Sequence, residues 1–104
     1  MGLAVQSRAQ QIAITFDDLP AHGPLPPKVT RLEVAKQVID ALRRAQVPPT
    51  YGFVNGSIIE QQPDTASVLD AWRGAGNLLG NHTWSHMNLN ENSTQEFEGD
   101  IGHN

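Results

Sequence analysis

Apolar residues along the chain fall into short runs separated by polar, proline-rich or glycine-rich stretches. Ile12 to Phe16 is almost unbroken apolarity with strong sheet formers, which predicts a strand covered on both faces. Leu19 to Pro27 is rich in proline and carries Gly23, so it reads as a loop. Thr30 and Glu33 then have Thr-x-x-Glu spacing, in which each side chain satisfies a backbone donor of the other at a helix start. Leu32, Ala35, Val38, Ile39, Leu42 and Ala45 follow at steps of three and four and define one buried face, until Pro48 and Pro49 stop the helix. Thr50 to Val54 predicts a second strand released by an Asn55-Gly56 turn, and Asp64 to Arg73 a second helix burying Val68, Leu69, Trp72 and Ala75. Leu78 and Leu79 open a third strand running into Gly80. Ser93 and Glu96 repeat the capping pattern ahead of Phe97 and Ile101.

Strand, helix, strand, helix, strand and a last helix, without internal repeats, is the order of βαβ units feeding a parallel sheet. Three parallel strands make a small sheet for the class, so the expectation is an α/β fold that forms the first half of a larger barrel. Residues 1–10 lack a charged start followed by a long apolar stretch and read as a flexible tail or the remnant of a signal peptide; no complete signal peptide is visible.

Composition narrows the chemistry. Seven Lys and Arg against eleven Asp and Glu give a net charge of −4, which argues against nucleic acid or an anionic membrane as partner. No apolar run approaches the ~18 to 20 residues of a membrane span. Cysteine is absent, which removes disulfides, thiolate metal sites and a cysteine nucleophile, and leaves His, Asp and Glu as candidate metal ligands. No Gly-x-Ser-x-Gly elbow and no phosphate-binding glycine loop is present.

Functional groups of parallel α/β folds gather at the carboxyl ends of strands. Asp17 and Asp18 close the first strand, and His82 and His86 follow the third. A helical turn between the two histidines would bring both imidazoles to one side. Two His and one carboxylate, with a position left for water, is a common ligand set of catalytic zinc. One aspartate would bind the cation while its neighbour takes a proton from the attacking water. The same ligand set also serves non-haem iron, and that alternative stays open at this level. His22, in the proline-rich loop, reads as a solvated histidine outside the site. Trp84 reads as packing beneath it and His103 as an exposed terminal residue.

Thr15-Phe16-Asp17-Asp18 and Gly80-Asn81-His82-Thr83-Trp84-Ser85-His86, with Gly52-Phe53-Val54-Asn55-Gly56 between them, resemble the polysaccharide deacetylases of the NodB homology type, carbohydrate esterase family 4. The resemblance implies a distorted (β/α) barrel of the glycoside hydrolase/deacetylase type, of which residues 11–104 would be the amino-terminal part. It implies Asp18, His82 and His86 as ligands of a divalent metal, zinc above others, and Asp17 as catalytic base. It also implies removal of acetyl groups from carbohydrate polymers such as chitin, peptidoglycan or xylan, with a secreted or periplasmic location. Leu19 departs from the pattern, standing where the family has Gly. The family's Arg-x-Pro-Tyr segment, its later Asp- and Trp-containing motif and the Leu-x-His that carries the catalytic acid have no counterpart in these residues. The expectation is therefore a truncated chain. The alternative is a non-catalytic half-domain that binds metal or sugar, or that needs a second chain to complete the barrel. Substrate, native metal and oligomeric state are left open.

Overall fold

The structure is a computed structural model that describes residues 10–104. The expected tail or signal remnant lies almost wholly outside the described residues. Three strands, β1 (Thr15–Leu19), β2 (Tyr51–Val54) and β3 (Leu78–Asn81), form one parallel sheet in the order β1-β2-β3. Helix α1 (Arg31–Arg44) links the first two strands. A short α2 (Gly56–Gln61), a 3-10 turn at Pro63–Thr65 and α3 (Ala66–Gly74) link the second and third, and α4 (Thr94–His103) follows.

The first strand begins three residues later than its apolarity suggests. Ile12 is 89% exposed, and the cause lies in the partner strand. Thr15 stands opposite Tyr51, so extending the ladder upstream would set residues 12 and 13 against Pro48 and Pro49, which have no N–H to donate. Nor is the strand covered on both faces: Phe16 packs against Trp72 of α3, while Thr15 and Asp17 are exposed.

Both capping boxes form as their spacing predicts. Thr30 Oγ1 accepts from the Glu33 N–H at 3.1 Å while the Glu33 carboxylate accepts from the Thr30 N–H at 2.7 Å. Ser93 and Glu96 do the same at the start of α4. These charge-assisted bonds, first that from the cap backbone and then that from its hydroxyl, hold both glutamates below the usual carboxylate range. The Asn55-Gly56 turn is instead the start of α2, which has no side-chain cap. The second predicted helix starts as the 3-10 turn before becoming α3. Ala75, expected on its buried face, is exposed where the helix ends.

The core is small, with Ala35, Val68 and Trp72 its buried hydrophobic residues. Trp72 lies between α3 and the sheet, edge-on to Phe16 at 5.6 Å between ring centres, with its indole N–H donating to the Leu78 carbonyl at 2.9 Å. A buried indole needs such a partner. Gly52 permits this packing, because a Cβ there would collide with Leu19 Cδ1 and lie 2.9 Å from Trp72 Nε1. The Leu19 side chain thus fills the space that Gly52 leaves, and this fixes the end of β1.

Helix α4 braces the loop that follows β3. The Trp84 N–H donates to the Asp100 carbonyl at 3.0 Å, and the Ser85 N–H and hydroxyl both donate to the Asp100 carboxylate at 2.9 Å. Burial works against ionisation of this carboxyl, but hydrogen bonds from Ser85 first, with Thr83 and Met87, outweigh it and keep Asp100 below its ordinary range. Trp84 packs where a Gly56 side chain would be, and the His103 ring, exposed as expected, meets it edge-on at 4.3 Å. Asn104 joins three segments, donating to Val54 O and Asn81 Oδ1 and accepting from the Gly56 N–H.

Two outcomes follow from this packing. Gly52→Ala should lower stability by about 1 to 3 kcal/mol through overpacking, read as a lower urea midpoint. Asp100→Asn should cost about 1 kcal/mol or less after solvent screening. Because the folded carboxyl is held down, its contribution is complete above the unfolded carboxylate range and disappears as pH falls through the depressed folded value. The gap between Asp100→Asn and wild type in pH-dependent urea melts should therefore be widest near neutrality and close in acid.

Candidate metal centre

Asp18, His82 and His86 meet at the carboxyl ends of the strands. One ligand atom from each lies within 4.8 Å of the other two, and the Nε2 atoms of both histidines are 3.3 Å from Asp18 Oδ1. The two imidazole rings are 5.1 Å apart and steeply inclined.

Asp18 reaches this point through an irregularity in β1. Phe16 pairs with Gly52 and Leu19 with Val54, so Asp17 and Asp18 together stand against the single residue Phe53. Such a bulge re-aims a side chain that regular alternation would send elsewhere. Asp18 also has a φ of 66°, a left-handed conformation that Asp tolerates better than most residues. Asp17 is exposed on the same bulge and is not one of the converging groups.

The histidines converge by a different route from the expected helical turn. No helix spans residues 82–86. The chain bends there through two left-handed residues, Thr83 at φ 67° and His86 at φ 59°. That conformation is unusual for β-branched Thr83, and strain of this kind, of order 1 to 3 kcal/mol per residue, persists only where surroundings over-determine it. Here the Thr83 N–H donates to Asn81 Oδ1 at 2.9 Å, the Thr83 carbonyl accepts from Asn55 Nδ2 at 2.9 Å, and Asp100 holds the next two residues.

Two residues that sequence patterns did not single out belong to the site. His22 is exposed, as a solvated loop histidine should be, yet it is not outside the site: it places Nε2 2.9 Å from Asn55 Oδ1 and 3.7 Å from Asp18 Oδ1, with its ring edge-on to His86 at 5.2 Å. Asn55, expected as a turn residue, is fully buried. Besides its bond to Thr83, its Nδ2 donates to the His82 carbonyl at 2.6 Å, and its backbone N–H donates to the Leu19 carbonyl at 3.0 Å. The sequence signal available for His22 is its closeness to Asp18, and for Asn55 its place in the Gly52–Gly56 segment of the family resemblance.

The donor set fits a divalent cation. Asp18 Oδ1 is buried and has no hydrogen-bond partner among the described residues, a costly state for a carboxylate oxygen that a cation would relieve. Two imidazole nitrogens and this oxygen match in type and number the three protein ligands of a catalytic zinc site. Beside both histidines lies an open cleft of about 440 Å³, whose apolar part is Met87, Phe97 and Ile101.

Known proteins share this arrangement of segments. The chain is 34% identical over 92 residues to the peptidoglycan-N-acetylglucosamine deacetylase PgdA of Listeria monocytogenes, a match that takes in 88% of this chain and 17% of that protein. The solved peptidoglycan deacetylase PdaC from Bacillus subtilis superposes with a TM-score of 0.57 at 33% identity, covering 86% of this chain and 38% of the solved PdaC chain. The chitin deacetylase from the fungus Colletotrichum lindemuthianum gives 0.57 at 30% identity, covering 88% and 36%. The chain thus spans well under half the length of these relatives, and its three-stranded parallel sheet agrees with the expected partial (β/α) barrel. The profile of the family described as polysaccharide deacetylase matches residues 4–104, and the chain belongs to that family.

Proposed function

We propose that this domain removes acetyl groups from N- or O-acetylated carbohydrate polymers by metal-dependent hydrolysis, with Asp18, His82 and His86 as ligands and Asp17 as the general base. The observation that carries the reading is the buried, unpartnered Asp18 Oδ1 with two imidazole nitrogens at 3.3 Å. Family membership supports hydrolysis over the iron chemistry that the same ligand set could serve, and the related peptidoglycan and chitin deacetylases support an acetylated polysaccharide as substrate.

Zinc, when bound, supplies a Lewis acid that makes a nearby water acidic enough to attack at neutral pH. This chain's residues supply the rest. Asp18 contributes a negative charge through Oδ1, the carboxylate oxygen that faces both histidines and is buried although the side chain as a whole is partly exposed. His82 and His86 contribute neutral nitrogen donors whose orientation is set by a braced loop. Asp17 is exposed beside Asp18, next in sequence but outside the converging trio, so its carboxylate remains available to accept the proton of the attacking water. The cleft lined by Met87, Phe97 and Ile101 offers an apolar surface adjoining the histidines for the acetylated sugar. The resemblance assigns the acid that protonates the leaving group to a Leu-x-His segment that these residues do not include.

Ligand and base roles separate experimentally. In zinc calorimetry His86→Ala should lose the binding heat, whereas Asp17→Asn should bind zinc like the wild type. In acetate-release assays on an acetylated chito-oligosaccharide, Asp17→Asn should lower kcat/KM by about 10² to 10⁴-fold. Equal zinc affinity in wild type and His86→Ala would refute the metal assignment. Acetate release unchanged in Asp17→Asn would refute the general-base assignment.

A further inference from the structure

We infer that His22 and Asn55 form a hydrogen-bonded pair that holds the metal-ligand cluster in shape from outside it, a positioning role that rests on the metal reading above. The argument begins with the orientation of the Asn55 amide. Its Nδ2 faces two carbonyl oxygens, His82 O at 2.6 Å and Thr83 O at 2.9 Å. A carbonyl can only accept, so both amide hydrogens are committed there and Oδ1 must face the other way. What it meets is His22 Nε2 at 2.9 Å. Since Oδ1 is itself an acceptor, Nε2 of His22 carries the hydrogen.

That tautomer decides what His22 can do. A nitrogen bearing a hydrogen has no lone pair for a cation, so His22 cannot ligate through Nε2 while its bond to Asn55 stands. Its ring flanks His86 edge-on and its Nε2 lies 3.7 Å from Asp18 Oδ1, so it borders the cluster on the side where Asp18 and His86 meet. Through Asn55, the same ring is connected to the carbonyls of the histidine loop. Asn55 also grips Leu19 by its backbone N–H. One buried side chain at the end of β2 therefore ties together the loop after β1 and the loop after β3.

The two ligand loops need such a tie. Asp18 comes from one, His82 and His86 from the other, and each loop contains left-handed residues that are not self-supporting. Metal sites demand ligand placement to within about 0.5 Å. His22 lies in the segment that departs from the family pattern at Leu19, so this loop brings its own support to the site. Replacing His22 by Ala takes away the protein donor to Asn55 Oδ1 and releases the amide from one of its two fixed ends.

The test is titration of the 104-residue chain with cobalt(II), followed by visible absorbance, and with zinc by calorimetry, for wild type, His22→Ala, His22→Gln and His22→Phe. The Gln side-chain amide nitrogen takes the place of Nε2 and can donate to Asn55 Oδ1; Ala and Phe cannot. The expected result is affinity lowered about 10 to 100-fold in His22→Ala and His22→Phe, restored in His22→Gln, with the cobalt band at the wild-type position throughout because the inner ligands are unchanged. Should His22→Ala fail to fold, Gln against Phe reads the same contrast. His22→Ala or His22→Phe binding as tightly as wild type would overturn the inference and leave the metal reading intact. A Gln variant as weak as Ala, with a shifted cobalt band, would overturn it by making the imidazole a ligand. A wild type that binds neither metal would refute both.

Discussion

A buried carboxylate oxygen without a hydrogen-bond donor is expensive, and Asp18 Oδ1 has none among the described residues, with two imidazole nitrogens 3.3 Å away. Three atoms that can share lone pairs converge on one small region, an arrangement that a cation stabilises and that none of the three groups gains from alone. The bulge of β1, the left-handed bends of the 82–86 loop, and the contacts of Asn55, His22 and Asp100 all serve to maintain it. Parallel pairing through β2 is what allows the meeting, since it places the ends of β1 and β3 at the same edge of the sheet, one strand apart.

The supports divide by direction. Asp100, on α4, grips the histidine loop from one side through Trp84 and Ser85. Asn55, at the end of β2, grips it through the carbonyls of His82 and Thr83 and reaches the aspartate loop through His22 and Leu19. Leu19, the departure from the family pattern, seats its side chain over Gly52 and against the region of Trp72, which joins the end of the ligand-bearing strand to the core. With few fully buried hydrophobic residues, the fold relies on hydrogen bonds of loops and caps more than a large domain does.

What could be read from the sequence was local. Both capping boxes are four-residue patterns whose partners are adjacent in the chain, and both form. The three strands and the parallel order followed from apolar runs and turn signals. The start of β1 was misplaced because its limit is set by Pro48 and Pro49, more than thirty residues away and opposed to it only in the folded register. Asp18, His82 and His86 could be chosen by residue type and spacing. Their convergence could not, because positive φ angles at non-glycine residues have no helical or strand periodicity to announce them. His22 and Asn55 were missed for a related reason: the hydrogen bond between them joins residues 33 apart, and a loop histidine and a turn asparagine each have an ordinary local reading.

The most direct measurement of the central claim is X-ray absorption at the zinc edge on the zinc-loaded chain. We expect a sulfur-free first shell with two imidazole nitrogens at about 2.0 to 2.1 Å and carboxylate or water oxygen at about 2.0 to 2.2 Å, reduced to a single imidazole in His86→Ala. A first shell lacking imidazole scattering, or one unchanged by His86→Ala, would contradict the claim that Asp18, His82 and His86 form a metal centre.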